Sequence, residues 1–216
     1  MALNSISEAS PVIRDYLLYM QTVKGKSPKT VDEYFTDIRT FFRFIKLNRA
    51  IESPSTPFED IKVDDVDIEL IKSVTLQDAY EFMNFLMRDR SNNASTRARK
   101  TSSLKSFFSY LNVKKHLIDT DPIKELETPK RKKSLPKYLT LEQSLELLNA
   151  VDGKHKERDY CIITLFLNCG MRLSELVGLN VTDIRSDGTA RILGKGNKER
   201  IIYLNSACVS AIQDYL

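Results

Sequence analysis

The chain has 216 residues, 42% hydrophobic and 29% charged, enough apolar material for one large packed domain or two small ones. A formal charge of +4 is too mild to select nucleic acid over plain solubility, and no stretch approaches the ~18 apolar residues of a membrane span. Residues 1–10 do not read as an export signal, and Cys161, Cys169 and Cys208 are too few and too irregular for a disulfide framework or a zinc site, which predicts a cytoplasmic protein without metal or cofactor.

The first half predicts helices. Ser10-Pro11 is an N-cap followed by proline at the first helical position, with Val12, Tyr16, Met20 and Val23 expected inward. Ser27-Pro28 repeats the signal ahead of Val31, Tyr34, Ile38, Phe41, Phe42 and Ile45. Residues 47–74 are acidic and proline-bearing and read as an insertion or connector with a short element near 68–71. Thr75 caps a third helix carrying Tyr80, Met83 and Leu86, and a fourth starts near Ser95 and packs through Leu104, Phe107, Phe108 and Leu111. Together these predict a four-helix domain over residues 1–128.

Residues 129–138 are bounded by prolines and dominated by positive charge, and read as a linker before a second domain over 139–216. There, Thr140 and Gln143 form a capping box for a helix with Leu145, Leu147 and Leu148 on its core side. A helix over 156–167 follows, with Tyr160, Ile163 and Phe166 inward. Short alternating runs at 181–184, 190–193 and 200–204 predict a three-stranded antiparallel sheet, and Ser206 opens a last helix. So small a sheet with few helices is near the lower limit for an independent domain, so 139–216 reads as the first part of a larger one. The fold class is mainly α with a small antiparallel β-sheet.

Charge is uneven along the chain. Basic residues crowd 88–105 and 130–137, whereas Glu59, Asp60, Asp64, Asp65, Asp67 and Glu69 form an acidic interval, which predicts one basic face. The fourth helix carries Thr96, Arg97, Arg99, Lys100, Ser103, Lys105 and Ser106, short hydroxyls and cations suited to a DNA groove or phosphate backbone. Lys29 and Thr30 open a helix where phosphate oxygens are well received. Lys132 and Lys133 in the linker extend the basic set. A solvated basic face is the alternative reading of these residues.

Two cations stand out in the second half. Arg172 follows Gly170 at a helix start in a largely apolar stretch, where a guanidinium invites a bidentate anionic acceptor such as phosphate. It reads equally as a structural arginine paired with Glu175 or Asp183. Lys195 stands between two glycines at a hairpin tip, a sequence that also makes a good solvated turn by itself.

The segments Cys169-Gly170-Met171-Arg172-Leu173-Ser174-Glu175-Leu176 and Gly194-Lys195-Gly196-Asn197-Lys198-Glu199-Arg200 resemble the tyrosine recombinases, particularly their Xer-type and phage-integrase branch. Ser27-Pro28-Lys29-Thr30 with Tyr34, residues 95–111 and Leu135-Pro136-Lys137 resemble that family's helical core-binding domain and its exit. The resemblance implies a SAM-like core-binding domain followed by the first part of an α+β catalytic domain. It implies that Arg172 clamps the scissile phosphate and that Lys195 protonates the leaving 5′ oxygen; Glu175, one helical turn after Arg172, reads as a residue that orients it or equally as its partner in a surface helix pair. It further implies site-specific recombination through a 3′-phosphotyrosyl intermediate, on double-stranded DNA with an inverted-repeat site, by a homo- or hetero-tetramer. The family's remaining catalytic residues find no match in these 216 residues: His155-Lys156-Glu157-Arg158 lies on the wrong side of Arg172, and Tyr215 follows the hairpin too closely to be the nucleophile. The chain alone is therefore expected to bind DNA without cleaving it. The competing expectation is a non-catalytic DNA-binding or regulatory protein derived from a recombinase.

Overall fold

A computed structural model describes residues 7–130, 135–194, 196 and 198–216, and the chain divides into two compact units, Met1–Ser134 and Leu135–Leu216. The expected helix starts in the first unit are the observed ones. Helix α1 spans Pro11–Thr22 with Ser10 accepting from the Ile13 amide, and α2 spans Pro28–Asn48 with Ser27 accepting from Thr30. A single 3-10 turn (Phe58–Asp60) and the short α3 (Ile68–Lys72) follow. Then come α4 (Leu76–Arg88), closed by a reciprocal Thr75/Asp78 capping box, and α5 (Ala94–Ser109), capped by Asn93. The last turn of α5 widens into a π-helical turn at Tyr110–Lys114.

Aromatic rings from three helices fill this core. Phe41 stands edge-on to Phe42, Phe82 and Phe108 at centroid distances of 5.3, 5.1 and 6.2 Å, a geometry that matches ring edges to ring faces. The inward side of α1 differs from expectation: Ile13 and Leu17 join Tyr16 and Met20 in the core, while Val23 is exposed. In α4, Ala79 and Phe82 are buried and Tyr80 faces out. Both helices have apolar residues on more than one side, and packing selects the face.

The acidic connector is part of this unit's packing. Val63, Val66, Ile71 and Val74 belong to its core. Its carboxylates serve internal cations: Glu59 pairs with Arg43 and Arg90, Asp65 with Lys46, and Asp67 caps α3.

In the second unit α6 spans Leu141–Asn149 and α7 spans Lys156–Cys169. The Thr140/Gln143 capping box forms, yet no residue of α6 is buried and Leu141, Leu145 and Leu147 are exposed, contrary to the inward face expected for Leu145 and Leu147. On α7 the buried residues are Cys161, Thr164 and Leu165; Cys161 and Thr164 lie one position after the expected Tyr160 and Ile163, while Phe166 packs partly buried beside Leu165. A one-residue step turns a helix face by about 100°.

The expected three-stranded sheet has two strands. β1 (Thr189–Leu193) and β2 (Glu199–Tyr203) pair antiparallel, Thr189 opposite Tyr203 and Leu193 opposite Glu199. The third segment forms a 3-10 turn at Val181–Asp183, leaving a single bridge between Ile184 and Ala190. Asp183 accepts from the Asn180 amide at 3.1 Å, and this local side-chain bond competes with strand pairing. The short α8 (Leu173–Val177) precedes that turn, and α9 (Ser206–Tyr215), capped by Asn205, packs on α7. Ala190, Ile192, Cys208, Ala211 and Ile212 close the core with Cys161 and Leu165. The Cys169 and Cys208 sulfurs lie 3.7 Å apart, and burial, followed by the neighbouring Cys169 thiol, pushes the Cys208 thiol up to about 12.

Candidate functional site

In the second unit the site is built at the start of α8. Gly170 ends α7 in the left-handed region at φ +56°, a conformation that costs a residue with a Cβ, and redirects the chain toward Arg172. Arg172 is the N-cap of α8, and Glu175 sits three residues on, where a capping carboxylate reaches back. Glu175 Oε2 accepts from the Arg172 amide at 2.9 Å, and Oε1 accepts from Arg172 Nη1 at 2.7 Å. Arg200, from β2, donates Nη2 to the same Oε2 at 2.8 Å. The carboxylate is almost wholly buried (side chain 1% exposed), whereas the Arg172 and Arg200 side chains are 67% and 44% exposed.

Two guanidinium groups thus share one sequestered anion and keep their outer edges open. A second anion with several acceptor oxygens, a phosphodiester above all, matches the donors that remain on Arg172. The expected pairing of Arg172 with Glu175 and its expected availability to an outside anion coexist, because one carboxylate does not saturate five donors. Asp183, the other expected partner, pairs with Arg191.

The Arg172 amide, the Arg172 guanidinium and Arg200 hold the Glu175 carboxyl down to about 2, against an ordinary 4.5. A folded-state value below the unfolded one contributes stability that is fully present above pH 4.5 and is lost as pH falls toward 2. Thermal unfolding of the second unit followed between pH 5 and 2 is expected to show this loss in the native chain and a shallower one in Glu175→Gln. Parallel profiles for the two proteins would contradict it.

Lys195 lies outside the described residues, as do Lys132 and Lys133. Its neighbour Gly194 is described: its amide donates to the Lys198 carbonyl at 2.7 Å, and a Cβ on Gly194 would stand 3.3 Å from Glu175 Oε1. The hairpin base therefore rests against the carboxylate that holds Arg172.

In the first unit the basic helix α5 divides into two faces. Lys100 and Ser103, expected on the DNA-facing side, point inward and are buried. Lys100 Nζ lies 3.0 Å from Asp37 Oδ1, and the Ser103 hydroxyl donates to Oδ2 at 2.7 Å. Arg99 Nη1 also reaches Asp37, but its side chain remains 43% exposed. Asp37 on α2 is fully buried, and its charge draws these donors in. The face expected for Lys100 and Ser103 is thus turned to Asp37, and Arg99 is the member of this trio that keeps an exposed side chain.

The remaining basic candidates are more open. Lys29 is exposed; Thr30 is half-buried, its hydroxyl 2.9 Å from that of Ser27. Thr96 is half-buried with its amide bonded to Asn93, and Arg97 donates to the Asn92 carbonyl. Lys105 reaches the Lys124 carbonyl, and the Ser106 hydroxyl accepts from Tyr16. Ser95 and Ser102 are exposed on α5 about one turn before and after Arg99, and Ser109 is exposed at the helix end.

Sequence reasoning missed Asp37 and Arg200. Both left a readable signal: Asp37 shares helical phase with Phe41 and Phe44, and Arg200 alternates with Ile202 on one face of a strand.

Two family models match the chain: the Phage integrase family over residues 137–216 and the Phage integrase N-terminal SAM-like domain over 13–115. A tyrosine recombinase XerC of Caldanaerobacter subterraneus subsp. tengcongensis is 52% identical over 206 residues, covering 95% of this chain and 58% of that protein. A tyrosine recombinase XerC of Myxococcus xanthus is 32% identical over 214 residues, covering 98% and 64%. The chain spans less than two thirds of the length of both relatives. Among solved structures, a lambda integrase dimer bound to a COC′ core site has the same fold, with a TM-score of 0.65 at 16% identity over 92% of this chain and 67% of that one. Among the described residues no cluster of His, Cys, Asp and Glu is placed to hold a metal ion, and no helix is long and apolar enough to cross a membrane.

Proposed function

We propose that this chain, which belongs to the phage integrase family of tyrosine recombinases, forms the DNA-gripping and phosphate-clamping part of a site-specific recombinase. The observation that carries this reading is the exposed Arg172 guanidinium held on the buried Glu175 carboxylate. A phosphodiester under attack gathers charge on its non-bridging oxygens, and a guanidinium already fixed in place stabilises that charge without reorganising. Lys195, next to the Gly194 that rests on Glu175, supplies the proton to the leaving 5′ oxygen.

The whole protein breaks and rejoins double-stranded DNA in the cytoplasm through a 3′-phosphotyrosyl link, as a tetramer on an inverted-repeat site. The link conserves the energy of the phosphodiester, so the reaction needs no nucleotide. The 216 residues alone bind DNA without cleaving it. A nicked duplex that traps the covalent intermediate tests the reaction: the whole protein should become linked to DNA in a form that survives denaturant. A complete absence of linked product would sink the recombinase reading.

Binding by the first unit rests on Lys29, Arg99 and the open hydroxyls of α5. Lys29→Ala together with Arg99→Ala is expected to weaken duplex binding and to flatten its dependence on log salt by about two, at roughly 0.9 per neutralised phosphate. An unchanged slope would remove these residues from the interface.

A further inference from the structure

Arg200 is the one cation of the second-unit cluster that no sequence reading singled out. Strand alternation dictates its direction: it lies two residues before Ile202, which packs on the core, and opposite the buried Ile192. The Arg200 guanidinium lies on that face with its side chain half-exposed, and its inner edge donates to the buried Glu175 carboxylate.

We infer that Arg200 is a positioning residue that fixes Arg172 for an incoming phosphate by holding the carboxylate of Glu175 between two guanidinium groups. This deepens the recombinase reading and rests on it. Each carboxylate oxygen has its own guanidinium, Arg172 on Oε1 at 2.7 Å and Arg200 on Oε2 at 2.8 Å. The only further donor on that carboxylate among the described residues is the Arg172 amide, on Oε2 at 2.9 Å. Without Arg200, that single amide would restrain Oε2, and the carboxylate could turn about its last side-chain bond, carrying Arg172 with it. The hairpin base closes the third side, because any carbon added at Gly194 meets Oε1 at 3.3 Å. α8, β2 and the hairpin thus converge on one carboxylate, and Arg172 inherits its orientation from all three.

A strut that merely joined β2 to α8 would affect stability alone; a positioning residue affects how Arg172 meets phosphate. The test uses the 216-residue chain with selectively labelled arginine and glutamate, observed by NMR as a short duplex DNA is added. In the native chain the Glu175 carboxyl should titrate at about 2, and the Arg172 Nε–H signal should shift on adding duplex. In Arg200→Gln the Glu175 titration should move up, and about tenfold more duplex should be needed for the same Arg172 response. Arg200→Lys should recover part of both. In a Glu175→Gln background, replacing Arg200 should cost nothing further, since its effect passes through that carboxylate.

The inference is overturned if Arg200→Gln leaves the Glu175 titration and the Arg172 response unchanged. It is overturned equally if the losses from Arg200→Gln and Glu175→Gln add, which would mean that Arg200 meets the DNA independently. If Arg172 fails to respond to duplex in the native chain, the proposed function of the site falls, whatever Arg200 does to Glu175.

Discussion

Replacing Asp37 with alanine is expected to destabilise the helical unit by about 3–5 kcal/mol, the cost of stranding a buried charge that has lost its partner. Asp37 is fully buried between α2 and α5 and receives Lys100, Ser103 and Arg99. Arg99 can turn to water, but the Lys100 side chain is only 10% exposed and its ammonium has no comparable way out. Chemical denaturation of the chain, followed by tyrosine and backbone signals, measures the loss. A cost below 1 kcal/mol would mean that solvent reaches Lys100 in the native state.

The paired change separates the charge from the packing. Asp37→Leu with Lys100→Met removes both members of the buried pair and keeps apolar volume, which is expected to recover most of the stability. It should not recover DNA binding fully, since Arg99 loses the carboxylate that orients it. The buried trio would then act chiefly on how α5 presents its outer face.

Replacing Arg172 with alanine in the whole protein is expected to slow formation of the covalent protein–DNA link by about 10²–10³-fold, the usual effect of removing one preorganised donor from a developing oxyanion. The fold should persist, because the side chain is 67% exposed and Glu175 retains Arg200. Arg172→Lys should restore little, since an ammonium cannot hold the Glu175 carboxylate and present a second planar pair of donors together. Rates of linkage to a nicked duplex at saturating protein provide the measurement. A reduction under threefold in Arg172→Ala would show that the phosphate is held elsewhere.

These two residues also mark where reading the chain succeeds and where it stops. Arg172 was legible because its setting is local: the glycine that ends α7, the helix start and the carboxylate three residues on all lie within six positions. The helix starts at Pro11, Pro28, Leu76 and Leu141 were legible for the same reason, since an N-cap bonds to an amide three residues away. Faces were less secure. In α1 and α7 apolar residues on adjacent positions allow two phases, and only the neighbouring helices decide between Ile13 and Val12, or between Cys161 and Tyr160.

The sequence by itself determined the principal helix starts, the family and the cation at the start of α8, because each depends on residues a turn or a short motif apart. Only the tertiary structure decided that Lys100 and Ser103 turn inward, that the 181–184 segment is no strand, and that Arg200 shares Glu175 with Arg172. Asp37 bonds to residues more than sixty positions away, and Arg200 to one twenty-five positions away. Pairings at such separations are set by which surfaces the packed core brings together, and no local pattern of residues carries that information.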